Sequence, residues 1–262
     1  MSRMTTNQRA RPFSEANVTA QESAVKEVKI NIREYGSIDH ILLVLDRLDS
    51  IYGYDSAPED SLSTGEPLDG LMLTLLSQNT NDRNRDMAYE SLRSKLATWR
   101  DVAGASHFER TSLIKSAGLG DTKSARMKAI LDRINSDFGD YTLVPMKDWE
   151  ADSVREYLSN FHGIGPKTVA CVMLFDLGLP AFPVDTHVAR VSRRLGFAAE
   201  NDTPMKIQLF LESIVPADRC KGGHLNIIEH GRHTCRARTP ECSTCNLPDV
   251  CRYYLELGTQ NE

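Results

Sequence analysis

Four cysteines, Cys235, Cys242, Cys245 and Cys251, fall within the last 28 residues of a 262-residue chain, in the spacing C-x6-C-x2-C-x5-C. Four thiols in so short a stretch can close around one inorganic centre without help from distant chain, so this segment is expected to fold as a loop around its ligand. A single zinc ion takes four cysteine thiolates, but zinc modules commonly pair two C-x2-C knuckles, and only one is present. A [4Fe–4S] cluster also takes four thiolates and suits the compact spacing. Spacing favours the iron–sulfur centre and leaves zinc open. Between the first two ligands lie Arg236 and Arg238. Ligation would stiffen that stretch and turn both guanidinium groups outward, an arrangement suited to phosphate contact.

A disulfide framework is the weaker alternative. Residues 1–29 are polar, without an apolar core of signal-peptide length, and no apolar run reaches the roughly 18 residues of a membrane span. The expectation is a cytoplasmic protein with no membrane segment, whose thiols stay reduced. Cys171 is expected to be a core residue, and neither it nor Cys220 is given a role.

Upstream of the cysteines, apolar residues recur at helical spacing almost throughout. Ile38, Ile41, Leu42, Leu45 and Leu48 mark one helix, and Leu68, Leu71, Met72, Leu75 and Leu76 a buried one. Further helices are expected over 84–97, 123–138, 149–161, 166–177, 186–195 and 205–214. No stretch alternates as a strand, and the chain contains no internal repeat. The fold class is therefore all-α. Residues 1–34 have few large apolar side chains and are expected to form a flexible tail.

The segment Phe161-His162-Gly163-Ile164-Gly165-Pro166-Lys167 joins two of these helices. Gly163 and Gly165 allow backbone shapes that other residues resist, and Pro166 suits the first helical position. The free amides of such a hairpin make an anion site. It is not a Walker loop, because Pro166 stands where glycine must precede the lysine. A plain turn remains the simplest alternative. Lys167 falls in the first turn of the following helix, beside the positive end of its dipole, which disfavours the ammonium form. A neutral amine there can act as a nucleophile and form a Schiff base; a phosphate-binding lysine is the other reading. Asp185, eighteen residues on in Val184-Asp185-Thr186-His187, suits a helix cap, and a carboxylate near Lys167 can also hold or relay its proton.

Taken together, these motifs resemble the endonuclease III family of helix-hairpin-helix DNA glycosylases over roughly residues 35–257. Four segments carry the resemblance in the family's order. They are Leu76-Ser77-Gln78-Asn79-Thr80-Asn81-Asp82, Gly118-Leu119 followed by Lys123, the Gly163–Lys167 hairpin with Val184–His187, and His230-Gly231-Arg232 running into the cysteines. The resemblance implies a six-helix barrel domain over 61–179 and an iron–sulfur cluster domain built from 35–60 and 180–262. Duplex DNA would lie in the cleft between them, with the damaged base flipped out of the stack. It implies that Lys167 attacks C1′ of the deoxyribose, that Asp185 supports charge and proton transfer, and that β-elimination then cuts the strand. It further implies a [4Fe–4S] cluster on the four cysteines, and that Asn79, Leu119 and His187 fill the gap left by the flipped nucleotide. Gln78, one place before Asn79, leaves open which of the two enters the duplex. Gly120 replaces an aromatic residue common after the wedge leucine.

The expected activity is a bifunctional glycosylase and abasic-site lyase acting as a monomer on double-stranded DNA with oxidised pyrimidines or abasic sites. A thymine or uracil mismatch glycosylase of the same superfamily is the nearer alternative, and a non-catalytic DNA-binding module with a structural metal centre the more distant one. The formal net charge of −5 does not exclude DNA. Between Tyr35 and Gly70 eight acids face one base, a net −7, which leaves +2 for the remainder. That segment is expected to face away from the duplex. The binding face is expected at the hairpin, at residues 123–128 and at the Arg236/Arg238 loop, with a shallow salt dependence.

Overall fold

The computed structural model describes residues 36–55 and 65–259. The expected tail at 1–34 lies outside the described residues, as do Glu59 and Asp60 of the acidic segment. Among the described residues there is no strand, and no helix is long and apolar enough to cross a membrane. The all-α expectation holds.

Helix α1 (Ile38–Tyr52) starts where the Ser37 hydroxyl accepts from the His40 amide at 3.1 Å and stops at Gly53, whose φ of 74° reverses the chain. Its stripe of Ile41, Val44, Leu45 and Leu48 is fully buried. Helix α2 (Pro67–Ser77) is buried nearly all round, through Leu68, Leu71, Met72, Leu75 and Leu76, and forms the centre of the molecule. Each of these leucines contributes about 1.5–3 kcal/mol by leaving water. Around α2 stand α3 (Asp82–Lys95), α4 (Trp99–Gly104), α5 (His107–Leu113), α6 (Gly120–Phe138), α7 (Ala151–Ser159) and α8 (Pro166–Cys171).

A second group packs mainly on itself: α1 with α9 (Thr186–Leu195), α10 (Pro204–Ile214), α11 (Cys220–His233) and α12 (Arg252–Thr259). Helix α11 lies between α1 and α9 and touches the first group where α8 ends.

Two expectations need correction. The helix expected over 166–177 is not a uniform α-helix: from Val172 to Asp176 it widens into a π turn, closed by Leu177 N donating to Val172 O at 3.1 Å. Lys123, expected on the DNA face, is only 1% exposed. Its ammonium donates to Leu76 O at 2.6 Å and Ala117 O at 2.8 Å, so it caps carbonyls at the ends of α2 and the turn before Leu119. Burial lowers its pKa. Lys128 of the same stretch is partly exposed and ion-paired with Asp132.

Candidate active site

A cavity of about 1130 Å³ opens between the two groups of helices. Lys167 and Asp185 both line it. The sequence brings them there through two helix starts. Gly165 and Pro166 begin α8, which places Lys167 in its first turn, half-buried. Asp185 is the N-cap of α9, with Oδ1 accepting from the Val188 amide at 2.8 Å. The capping role expected for Asp185 is thus present, and its other oxygen is left for the cavity side.

The hairpin itself is held from behind. Gly163 has a φ of 82°, and a Cβ there would lie 2.4 Å from Arg126 Nε, so both backbone and space demand glycine. Gly165 differs from expectation: its backbone is ordinary and extended, and an added Cβ would meet nothing within 4 Å among the described residues. Gln78 explains why Arg126 sits so close. Its amide nitrogen donates to Gly163 O at 3.0 Å, while its oxygen accepts from Arg126 at 3.2 Å. Gln78 is therefore spent on the hairpin, and Asn79 beside it is exposed with a φ of 54°. Leu119 is 57% exposed and has a φ of 52°. These two are the left-handed non-glycine residues among those described. Such a conformation costs about 1–2 kcal/mol at each and persists where surrounding structure imposes it. Lys123 supplies that restraint, since its two carbonyl bonds tie the Leu119 turn to the end of α2 just before Asn79.

His187, half-buried on α9, packs against Gly231, where a Cβ would lie 3.1 Å from its own, and Arg190 approaches its Nδ1 at 3.2 Å. Across the cavity mouth, Arg232 of α11 pairs with Asp82 of α3 at 3.1 Å. His224 of α11 forms part of the cavity wall and donates from Nδ1 to Pro183 O at 2.8 Å, which fixes the chain two residues before Asp185. Burial pushes its pKa down to about 4, against the opposing pull of the Asp185 carboxylate. A histidine neutral in the native state but charged in the unfolded one opposes folding in acid. Stability should therefore fall as pH drops from about 6.5 towards 4. Thermal unfolding across that window should show a smaller slope in His224→Asn, whose amide can keep the Pro183 bond without titrating.

The four cysteines border a second, smaller cavity at the far end of α9, each of them partly exposed. Arg194 braces their loop, donating to Arg236 O at 2.7 Å, to Ala237 O at 2.9 Å and to Cys235 Sγ at 3.3 Å. Arg190 adds a bond to Cys235 O at 3.1 Å. Arg236 and Arg238 are both exposed on this loop; Arg236 pairs with Glu241 at 3.1 Å. Burial raises the thiol pKa of Cys245 and Cys251, so a bound cation would favour the thiolate at both. Cys171 lies in the Lys167 cavity, and burial raises its thiol; Cys220 is buried with its thiol pushed up to about 12. Sequence reasoning misses Arg126, Arg190, Arg194 and His224. Only the i, i+4 pair Arg190 and Arg194, on the helix that Asp185 begins, carried a readable signal.

Comparison with known proteins fits this geometry. The profile of HhH-GPD superfamily base excision DNA repair proteins matches residues 72–217. A putative DNA glycosylase of Arabidopsis thaliana is 36% identical over 149 residues, 57% of this chain but only 51% of its own length. Endonuclease III of Thermotoga maritima is 32% identical over 193 residues, covering 74% of this chain and 86% of that one. Among solved structures, a trapped endonuclease III–DNA covalent intermediate superposes with a TM-score of 0.71 at 28% identity, over 85% of this chain and 99% of the other. The chain belongs to the HhH-GPD superfamily of base excision DNA repair proteins and, within it, to the endonuclease III family.

Proposed function

We propose that this chain is a base-excision DNA glycosylase with abasic-site lyase activity, removing oxidised pyrimidines from duplex DNA through a lysine Schiff base. The observation that carries the reading is that Lys167 and Asp185, eighteen residues apart, begin two different helices and line one cavity. That cavity is large enough for a flipped nucleotide.

The chemistry follows from those two groups. The Lys167 amine attacks C1′ as the C1′–N bond breaks and the base leaves with the bonding electrons. Loss of the amine proton and opening of the sugar ring give an imine. The Asp185 carboxylate stabilises positive charge at the sugar and accepts the proton. The imine acidifies C2′–H; its removal expels the 3′ phosphate by β-elimination, and water then releases the lysine.

Exposed Leu119 and Asn79, on turns pinned by Lys123 and Gln78, are suited to fill the space the nucleotide vacates. The amides at Gly163 and Gly165 and the guanidinium groups of Arg236 and Arg238 are suited to the phosphate backbone on either side. Leu119→Ala should slow excision from a fully paired duplex by about tenfold or more, because unstacking costs a few kcal/mol per step. Cleavage at an abasic site, where no base pair must open, should fall much less. Equal losses on both substrates would remove the wedge role.

For the cysteines the proposal is a [4Fe–4S] cluster held by Cys235, Cys242, Cys245 and Cys251, a centre that stiffens the loop carrying Arg236 and Arg238. What supports a metal centre there is that all four thiols border one cavity, and their C-x6-C-x2-C-x5-C spacing favours iron–sulfur over zinc.

The function is tested on duplexes carrying thymine glycol, dihydrouracil, uracil·G, thymine·G and 8-oxoguanine·A. Excision of the first two with strand cleavage is the expected result. Excision confined to the G mismatches would move the protein to the mismatch glycosylases, and binding without excision would leave only a DNA-binding module.

A further inference from the structure

The cavity holds an acidic side chain that this chemistry does not use. Asp176 is 8% exposed and shares the cavity wall with Lys167, Cys171 and Phe175. Its place there depends on the π turn. In an α-helix, residues five apart point about 140° away from each other. The wider turn closed by Leu177 N and Val172 O brings residues five apart back into line, so Asp176 comes round to the wall that carries Cys171 and Lys167.

The opposing surface is backbone. A Cβ on Gly70 of α2 would lie 2.0 Å from one Asp176 carboxylate oxygen and 2.1 Å from the other. The carboxylate therefore rests flat on the central helix, and glycine at position 70 is what makes room for it. Asp176 already has a partner within the fold. A carboxylate has about four acceptor sites, so it retains capacity for a donor arriving in the cavity. Phe175 beside it offers an aromatic face on which a base can stack.

We propose that Asp176 reads the flipped base and selects pyrimidine lesions bearing an amino group at C4, those derived from cytosine, over lesions bearing a carbonyl at C4. The inference rests on the glycosylase reading above and adds its substrate class. A carboxylate accepts from the C4 amino group of cytosine. A uracil- or thymine-type edge offers only its N3–H, set between two carbonyl oxygens, so the carboxylate there always faces another acceptor. Such a facing pair of acceptors slows excision of C4-carbonyl lesions, thymine glycol and dihydrouracil among them, relative to C4-amino lesions without abolishing it.

Two lesions differ in that one group: 5-hydroxycytosine and 5-hydroxyuracil, each placed opposite guanine in the same duplex. Single-turnover excision is read after hot alkali, which cuts every vacated site whether or not the lyase acts. The wild-type protein should excise 5-hydroxycytosine about tenfold or more faster, the effect of one good directional contact to a base edge. Asp176→Asn, whose amide can donate to a C4 carbonyl, should collapse or invert that ratio. The ratio within one protein cancels any general loss of stability, and the wild-type ratio stands even where the variant fails to fold. Equal rates in the wild type, a preference for 5-hydroxyuracil, or an unchanged ratio in Asp176→Asn would each overturn the proposal. Cleavage of a preformed abasic site without alkali reports separately on the lysine chemistry. Its absence alongside a clear 5-hydroxycytosine preference would refute the lyase reading and leave the role of Asp176 standing. Excision of neither base would overturn both.

Discussion

Lys167→Ala should lower strand cleavage at an abasic site by at least about 10³-fold, the scale on which removing a catalytic nucleophile acts. Lys167 is the lysine among the described residues lining the cavity, so no neighbouring amine is placed to substitute for it. The substitution should be nearly silent for stability, because the side chain is half-buried and sits in the first turn of a helix that alanine tolerates. Lys167→Arg separates chemistry from charge. Arginine keeps a cation for phosphate but supplies no nucleophile, so it should restore DNA affinity and leave cleavage lost. Recovery of cleavage in the arginine variant would make Lys167 a phosphate contact. Asp185→Asn completes the series. Asparagine caps a helix about as well as aspartate, so α9 should stay in place while the negative charge is gone. Cleavage should then fall with little change in melting temperature, the separation that a purely capping role cannot produce.

The second large effect concerns the cysteine loop. Between Cys235 and Cys251 the chain makes only two short 3-10 turns, Cys242–Thr244 and Pro248–Val250, and its apolar anchor is Leu247, fully buried. The bonds from Arg190 and Arg194 hold the near end of this stretch, and α1 holds the far end, where His40 Nε2 donates to Val250 O at 2.8 Å and Arg47 pairs with Asp249 at 2.7 Å, so the middle around Cys242 and Cys245 depends on whatever the thiols bind. A structural metal centre contributes on the order of 10 kcal/mol to folding. Cys251→Ala should therefore lower the melting temperature by more than about 10 °C. It should also flatten the salt dependence of DNA binding by roughly two in slope, as the phosphate contacts of Arg236 and Arg238 are lost. The wild-type protein should be yellow-brown, with iron and acid-labile sulfide in cluster proportion. A colourless protein with stoichiometric zinc would replace the cluster with a zinc site and leave the mechanical prediction intact.

The sequence was most readable where chemistry is local. Helix α9 begins at Thr186 and ends at Leu195 as its spacing predicts, because Asp185 supplies a cap and Gly196 a left-handed stop with ten residues between them. The hairpin was readable for the same reason. Helix α11 is not legible in the apolar spacing. Gly222 and Gly223 in its first turn are poor helix formers, and their purpose lies outside the helix. A Cβ on Gly222 would lie 1.8 Å from Asp55 Oδ1, and one on Gly223 would lie 3.3 Å from Leu45, so the two glycines serve the close approach of α1 and of the turn that follows it. The π turn is equally invisible in a helical periodicity, and it is what admits Asp176 to the cavity. Lys123 shows the opposite failure. A lysine on a helix face reads as solvated or phosphate-binding, whereas here it is buried and bonded to one carbonyl from the end of α2 and one from the turn before its own helix. The acidic segment, which at first counts against DNA, is partly consumed in structure: Asp46 and Asp55 pair with Arg219, and Asp69 accepts from the Trp99 indole.

The central claim is that one amine, placed by the hairpin, becomes covalently joined to the sugar. It is tested most directly by incubating the wild-type protein with an abasic-site duplex in the presence of borohydride, digesting the trapped adduct and locating the modified residue by mass spectrometry. The account predicts a reduced sugar adduct on Lys167. An adduct on any other residue, or strand cleavage with no trapped species, would contradict it.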